Sequence, residues 1–239
     1  MITKDQIKNL SGIFQIDEFS IFREYLQLTF LSYLYQEKEA SKIVFKGGTA
    51  LRLLFGSPRF SEDLDFSTNY NDLEIIKLLK KIEEKINKEL SGLTIKSLHK
   101  GKKGIRFRIT YRQDDFKYPF SIRLDFHRQK SILNTQISTL TTQFPIMIFS
   151  QIFHLSGEGI LIEKFEALNS RKKGRDIFDI WFLLSKGVKL KSFEDKTIKI
   201  LKLFPQVVLE KDLGKFLPRS QKQIISSLKD ETINLLSAS

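Results

Sequence analysis

Phe45-Lys46-Gly47-Gly48-Thr49-Ala50-Leu51, followed by Arg59-Phe60-Ser61-Glu62-Asp63-Leu64-Asp65-Phe66, joins a glycine turn to a pair of carboxylates. Ile43-Val44-Phe45 reads as a short buried strand ahead of the turn, Thr49 to Phe55 as a helix, and Gly56-Ser57-Pro58 as its end. Arg59 to Phe66 then reads as a second strand. Residues two apart in a strand share a face, so Asp63 and Asp65 lie on one side and Leu64 and Phe66 on the other. A glycine turn that leaves a strand and opens a helix offers unpaired N–H groups and a positive dipole end to an anion. Thr49 can cap that helix or give its hydroxyl to a phosphate. Two carboxylates on one face suit magnesium, which prefers oxygen ligands and takes the rest from water and substrate phosphates. Singly, the acids also fit a solvated edge strand and the glycines a plain tight turn. Their order along the chain points to a metal-dependent enzyme acting on a nucleoside triphosphate.

Upstream, Thr3 with Gln6 forms a capping box for a short helix ending near Ser11-Gly12. A second helix starts near Asp17, with Phe22, Leu26, Phe30 and Leu34 as the face turned to a core. Downstream, Asp72 to about Leu90 is helical, with Leu73, Ile76, Leu79 and Ile82 as its apolar stripe. Three strands are expected at Leu93 to Leu98, Ile105 to Tyr111 and Phe120 to Phe126, the first two joined by the glycine-flanked turn Lys100-Gly101-Lys102-Lys103-Gly104. From Phe144 onward the pattern is mainly helical. The fold class expected is α+β, a mixed β-sheet flanked by helices over residues 1–143 and a helical C-terminal region over 144–239.

The 239 residues, 41% hydrophobic, are enough to bury a core. The absence of cysteine excludes disulfides, thiolate zinc sites and cysteine nucleophiles. The first residues lack the apolar run of a signal peptide, and the longest apolar stretch, around Pro145 to Leu161, is broken by Gln151, His154 and Glu158. A soluble cytoplasmic protein with no membrane association is expected. Forty basic against 28 acidic residues give a net charge of +12, which favours encounter with a polyanion such as nucleic acid.

Further groups bear on the chemistry. Alternation through Ile122, Leu124 and Phe126 puts Arg123, Asp125 and His127 on the opposite face. Asp125 there can complete a metal site, accept a proton, or pair with a base. Lys164, Leu168 and Arg171 share a helix face, and Arg175, Asp176 and Asp179 begin the next helix, where an acid can position Lys164 or Arg171 by an ion pair. The same residues also fit an ordinary charged helix face. Trp181 with Phe178 and Phe182 reads as core. Lys100, Lys102, Lys103, Arg106, Arg108 and Arg112 make the hairpin either a solvated ribbon or a track for an RNA backbone. The Lys-rich part from Lys189 through Lys229 can serve RNA, a partner or solubility.

The blocks at Phe45–Leu51 and Arg59–Phe66, with Lys164-Phe165-Glu166-Ala167-Leu168-Asn169-Ser170-Arg171 and Arg175-Asp176-Ile177-Phe178-Asp179-Ile180-Trp181, resemble the AbiE-type nucleotidyltransferase toxins of abortive-infection and toxin–antitoxin systems. These belong to the DNA polymerase β-like nucleotidyltransferase superfamily, and the likeness spans roughly residues 40 to 185 with order and spacing kept. The resemblance implies a nucleotidyltransferase-like sheet, a triphosphate held by Gly47, Gly48 and Thr49 with Lys164 and Arg171, magnesium on Asp63 and Asp65, and a pocket completed by Lys164 and Asp176. Asp125 is the candidate for the third strand carboxylate that many members use. It further implies transfer of a nucleoside monophosphate to RNA, foremost the tRNA 3′ end, by a toxin restrained by a cognate antitoxin. A protein hydroxyl or a small molecule as acceptor, and an inactive RNA-binding module, are the alternatives.

Overall fold

The computed structural model describes residues 1–112, 118–146, 151–189 and 193–238. The chain forms two compact units, one made of residues 1–56 and 60–154, the other of 57–59 and 155–239.

In the first unit, α1 (Lys4–Phe14) opens on the Thr3–Gln6 capping box, in which the Thr3 hydroxyl accepts from the Gln6 N–H and the Gln6 side chain accepts from the Thr3 N–H. Asp17 caps α2 (Glu18–Leu34), whose buried residues include the expected Phe22, Leu26, Phe30 and Leu34 but also Gln27, Leu28 and Leu31. The helix is therefore covered nearly all round, not on one face alone. A 3₁₀ turn, Lys38–Lys42, leads into β1 (Ile43–Lys46), then α3 (Gly47–Phe55), which closes on Gly56 in the left-handed region at φ 76°. The second strand, β2 (Leu64–Thr68), is shorter than the sequence suggests: 59–63 is not strand.

Asn71 caps α4 (Asp72–Asn87) through a second capping box with Glu74. Its core stripe is Ile75, Leu78, Leu79, Ile82 and Ile86, whereas Leu73 is 68% exposed. The strands β3 (Thr94–Gly101), β4 (Gly104–Tyr111) and β5 (Phe120–Arg128) follow near the expected positions. Two more were not expected, β6 (Thr135–Thr139) and β7 (Gln151–Leu155), the latter inside the stretch read as helical from Phe144; residues 147–150 of that stretch lie outside the described residues.

Among the described residues these strands make a seven-stranded mixed sheet in the order β3-β4-β5-β2-β1-β7-β6. β2 runs antiparallel to β1 and parallel to β5, and β1 runs parallel to β7. Phe66 stacks on Phe126 at 4.9 Å between centroids, while Phe22 lies 4.5 Å from Phe120 and Phe30 6.4 Å from Phe66. Buried aromatics thus fix α2 onto one face of the sheet, each worth roughly 2 to 3 kcal/mol of apolar burial. That leaves the other face of β2, β5 and β4 to charged side chains.

The second unit carries α5 (Gly157–Arg171), α6 (Gly174–Ser185), α7 (Glu194–Leu203), α8 (Gln206–Leu213) and α9 (Ile224–Ser237), with the segment 57–59. Ile177, Phe178, Ile180 and Leu183 bury the core side of α6, as read from the sequence for Phe178, and Trp181 donates its indole N–H to Glu231 at 3.0 Å. Of the Lys-rich stretch from Lys189, residues 190–192 lie outside the described residues.

Candidate active site

The site in the sheet unit begins at Gly47, the first residue of α3. Its φ is 79°, and a Cβ placed there would overlap the Asp65 carboxylate. Both facts require glycine: the left-handed conformation suits no β-carbon, and the space belongs to Asp65. The close approach puts the Asp65 carboxylate against the N-terminal turn of α3, where the helix dipole favours negative charge. Gly48 and Thr49 are buried in the same turn. The Thr49 hydroxyl donates a short hydrogen bond to the Asp63 backbone carbonyl. Thr49 therefore pins the acidic segment to the helix, a positioning task that the sequence did not reveal.

Cross-strand register sets the charges in rows. Lys46 stands opposite Asp65, Asp65 opposite Asp125, Asp125 opposite Arg106, and Arg106 opposite His99, all on the face turned away from α2. In the adjoining row Arg123 pairs with Asp63, its Nε 3.1 Å from Oδ1 and its Nη2 on Oδ2, while Arg106 Nε donates to Asp125. The hydrogen bond to Asp63 raises the Arg123 pKa against the opposing effect of burial, and the charges of Asp63, Asp125 and Asp65 raise it further. One guanidinium thus faces three carboxylates. Arg123 was legible as a residue of this face, but its partner was not, because Asp63 precedes the strand and only folding brings the two together.

Among the described residues no group of three or more His, Asp or Glu is gathered as a ready-made metal cage. The donors nonetheless fit a hard cation. Asp65 and Asp125 are neighbours in a parallel pair, where strands lie about 4.8 Å apart, and Asp63 adjoins them. A magnesium ion that draws its other ligands from water and phosphate needs no more protein oxygen than this.

The helical unit gathers the other expected residues. Lys164, 7% exposed on α5, lies 2.7 Å from Asp179 and 3.5 Å from Asp176 on α6. Asp176 also accepts both arms of Arg171, at 2.8 and 2.7 Å, and Asp179 accepts both arms of Arg59, each at 2.8 Å. Burial pushes the Asp179 carboxyl up, but Arg59 and Lys164 outweigh it and hold its pKa below the usual carboxylate range. The pairing of Arg59 with Asp179 was missed; Arg59 stood in the decisive stretch, but nothing local names a partner so far along the chain.

The model of the family described as nucleotidyl transferase AbiEii toxin, type IV TA system, matches residues 29–231. No curated protein matches the sequence closely enough to count as a relative. Among solved structures, JHP933 from Helicobacter pylori superposes with a TM-score of 0.67 at 22% identity, over 93% of this chain and 92% of its own. MenT4, a nucleotidyltransferase toxin from Mycobacterium tuberculosis, gives 0.62 at 17% identity, over 100% and 91%. At such identities these two likenesses speak for the fold alone, whereas the family match covers most of the sequence and falls on the glycine turn, the acidic face and the Lys164 helix alike: the chain belongs to the AbiEii nucleotidyltransferase toxin family of toxin–antitoxin systems.

Proposed function

We propose that this chain transfers a nucleoside monophosphate from a nucleoside triphosphate to RNA, foremost to the 3′ end of tRNA, releasing pyrophosphate and stopping translation until a cognate antitoxin relieves it. Membership of the family carries the reaction class and implies both the nucleotide substrate and an antitoxin. The observation that carries the site is the juxtaposition of Gly47 with Asp65, which sets a carboxylate and the N–H groups of a helix start within one turn of each other.

In this reading the α3 N-terminus receives the triphosphate, with Gly47, Gly48 and Thr49 each lending a backbone N–H and the Thr49 hydroxyl keeping the turn fixed to Asp63. Asp65, with Asp63 and Asp125, would hold magnesium, which when bound aligns the attacking hydroxyl with the α-phosphate and offsets charge on the departing pyrophosphate. Asp125, the cross-strand neighbour of Asp65, would alternatively take the proton from the acceptor hydroxyl instead of binding the metal. Arg106 and Arg123 orient Asp125 and Asp63 by their hydrogen bonds. Lys164, Arg171 and Asp176 share the helical unit's ion network; in this reading Lys164 and Arg171 would also bind the triphosphate, and Lys164 and Asp176 would complete the catalytic pocket.

The test is incubation of the purified protein with each α-labelled nucleoside triphosphate, magnesium and total tRNA. Label in the tRNA band, lost on 3′ oxidation of the RNA, supports the proposal. Label confined to a protein band, or no label with any nucleotide, overturns the acceptor assignment.

A further inference from the structure

Outside the carboxylates themselves, the sheet face carries a cleft of ≈ 150 Å³ whose lining includes His99, Lys103, Arg106, Asp125 and His127. Its nitrogen-bearing side chains outnumber its single carboxylate four to one, and that carboxylate is already paired with Arg106. The floor is made of Gly101 and Gly104. A Cβ on Gly104 would overlap the Phe126 carbonyl, and one on Gly101 would come within 3.0 Å of the His99 ring.

A β-bulge brings His99 to this face. Ser97 stands opposite Phe107, yet the next pair is His99 with Arg106, so Leu98 is the extra residue. In a regular ladder Leu98 would face Arg106 and His99 would turn to the core side. The same shift sends Lys100, opposite Ile105, to the other face, which corrects the reading of Lys100 as part of one basic track with Arg106. The turn itself is tied down: the Arg128 N–H donates to the Lys103 carbonyl at 2.9 Å, and the Arg128 guanidinium donates to the Gly101 carbonyl and to Asp72. A cationic cleft with a glycine floor and a fixed rim, one strand beyond Asp65, is built for a phosphodiester rather than for an apolar or cationic ligand.

We propose that this cleft binds the terminal phosphodiester of the RNA acceptor, with Lys103, His99 and His127 as its contacts, so that the 3′ hydroxyl is delivered to Asp125 and Asp65. The proposal rests on the nucleotidyl-transfer reading and adds to it where the acceptor lies. Strand spacing of about 4.8 Å puts the Asp125 position between the cleft and Asp65, which is the order a bound 3′ end requires.

The test is fluorescence anisotropy of a short fluorescein-labelled single-stranded oligoribonucleotide with a free 3′ hydroxyl, titrated at several salt concentrations. The proteins are wild type, the triple variant His99→Ala/Lys103→Ala/His127→Ala, and a control that loses three exposed lysines of α4 and its end, Lys77→Ala/Lys80→Ala/Lys88→Ala. The expected result is binding about tenfold or more weaker for the cleft variant, with a shallower salt slope and an unchanged melting temperature, and near wild-type binding for the control. Equal affinity of wild type and cleft variant, equal losses in both variants, or no binding by wild type would each overturn the proposal. Asp63→Ala separates the two readings: it should bind the oligonucleotide yet label nothing. Wild-type protein that binds through the cleft but transfers no nucleotide would sink the reaction and leave the binding site standing.

Discussion

Gly47 and Asp65 occupy each other's space, and that single contact decides what can replace either. Gly47→Ala must place a β-carbon both at φ 79° and inside the Asp65 carboxylate, for an expected loss of about 2 to 4 kcal/mol in urea unfolding and of transfer activity with it. Gly56→Ala is the matched comparison: its φ of 76° carries the conformational cost, but nothing lies within 4 Å, so about 1 kcal/mol is expected and activity should persist. Equal effects would show that backbone strain alone matters at Gly47. In the helical unit, Arg59→Ala leaves the wholly buried Asp179 with Lys164 alone, and should cost about 3 kcal/mol or more.

Asp179 also gives a pH signature. Its native pKa is depressed, so its contribution to stability is complete above the unfolded value near 3.8 and is lost as pH falls through the lowered native value. Asp179→Asn should be less stable at neutral pH and should lack that share of the acid limb in a series of urea titrations. An acid limb identical to wild type would show that Asp179 is not held ionised.

The decisive residues were legible because glycine and acidic spacing carry their own physics. Their partners were not. Thr49 with Asp63, Arg123 with Asp63, and Arg59 with Asp179 are separated by 14, 60 and 120 positions and are set by tertiary structure.

Among the elements, chemical punctuation was legible in part. The Thr3 box, the start of α2 at Asp17 and the Gly56 end stand where expected, whereas Gly12, expected near the end of α1, lies inside a helix that runs to Phe14. Asn71, with Glu74, satisfies the first N–H groups of α4, and Asn71→Ala should lower stability by about 1 kcal/mol, measured as a shift in the urea midpoint at constant slope. An unchanged midpoint would mean that the exposed cap is already satisfied by water.

Elements defined only by periodicity fared less well. Periodicity alone starts the α4 stripe at Leu73, which belongs to the solvated first turn; the buried stripe starts at Ile75. β6 is Thr-Gln-Ile-Ser-Thr, mostly exposed, with no apolar alternation to read. β7 has Ile152 and Phe153 in a run too short to tell strand from helix, and its described register with β1 is the single pair Phe45 with His154. The bulge at Leu98 left no mark in the sequence at all, although it decides which face His99 occupies.

For the whole molecule, the net charge of +12 includes Arg106, Arg108 and Arg123, which the sheet sets in rows with its carboxylates. Family membership agrees with the expectation of a nucleotidyltransferase, and the solved structures agree with the expected fold. No described helix is long and apolar enough to cross a membrane. In the proposed function, nucleotide transfer is carried out on the carboxylate face of β2 and β5. Its most direct test is the rate of labelled-nucleotide incorporation into RNA by wild type, Asp63→Ala and Asp65→Asn, each first shown to unfold cooperatively. Incorporation by wild type and none above background by either variant is expected; incorporation by Asp65→Asn within a few-fold of wild type would place the chemistry elsewhere.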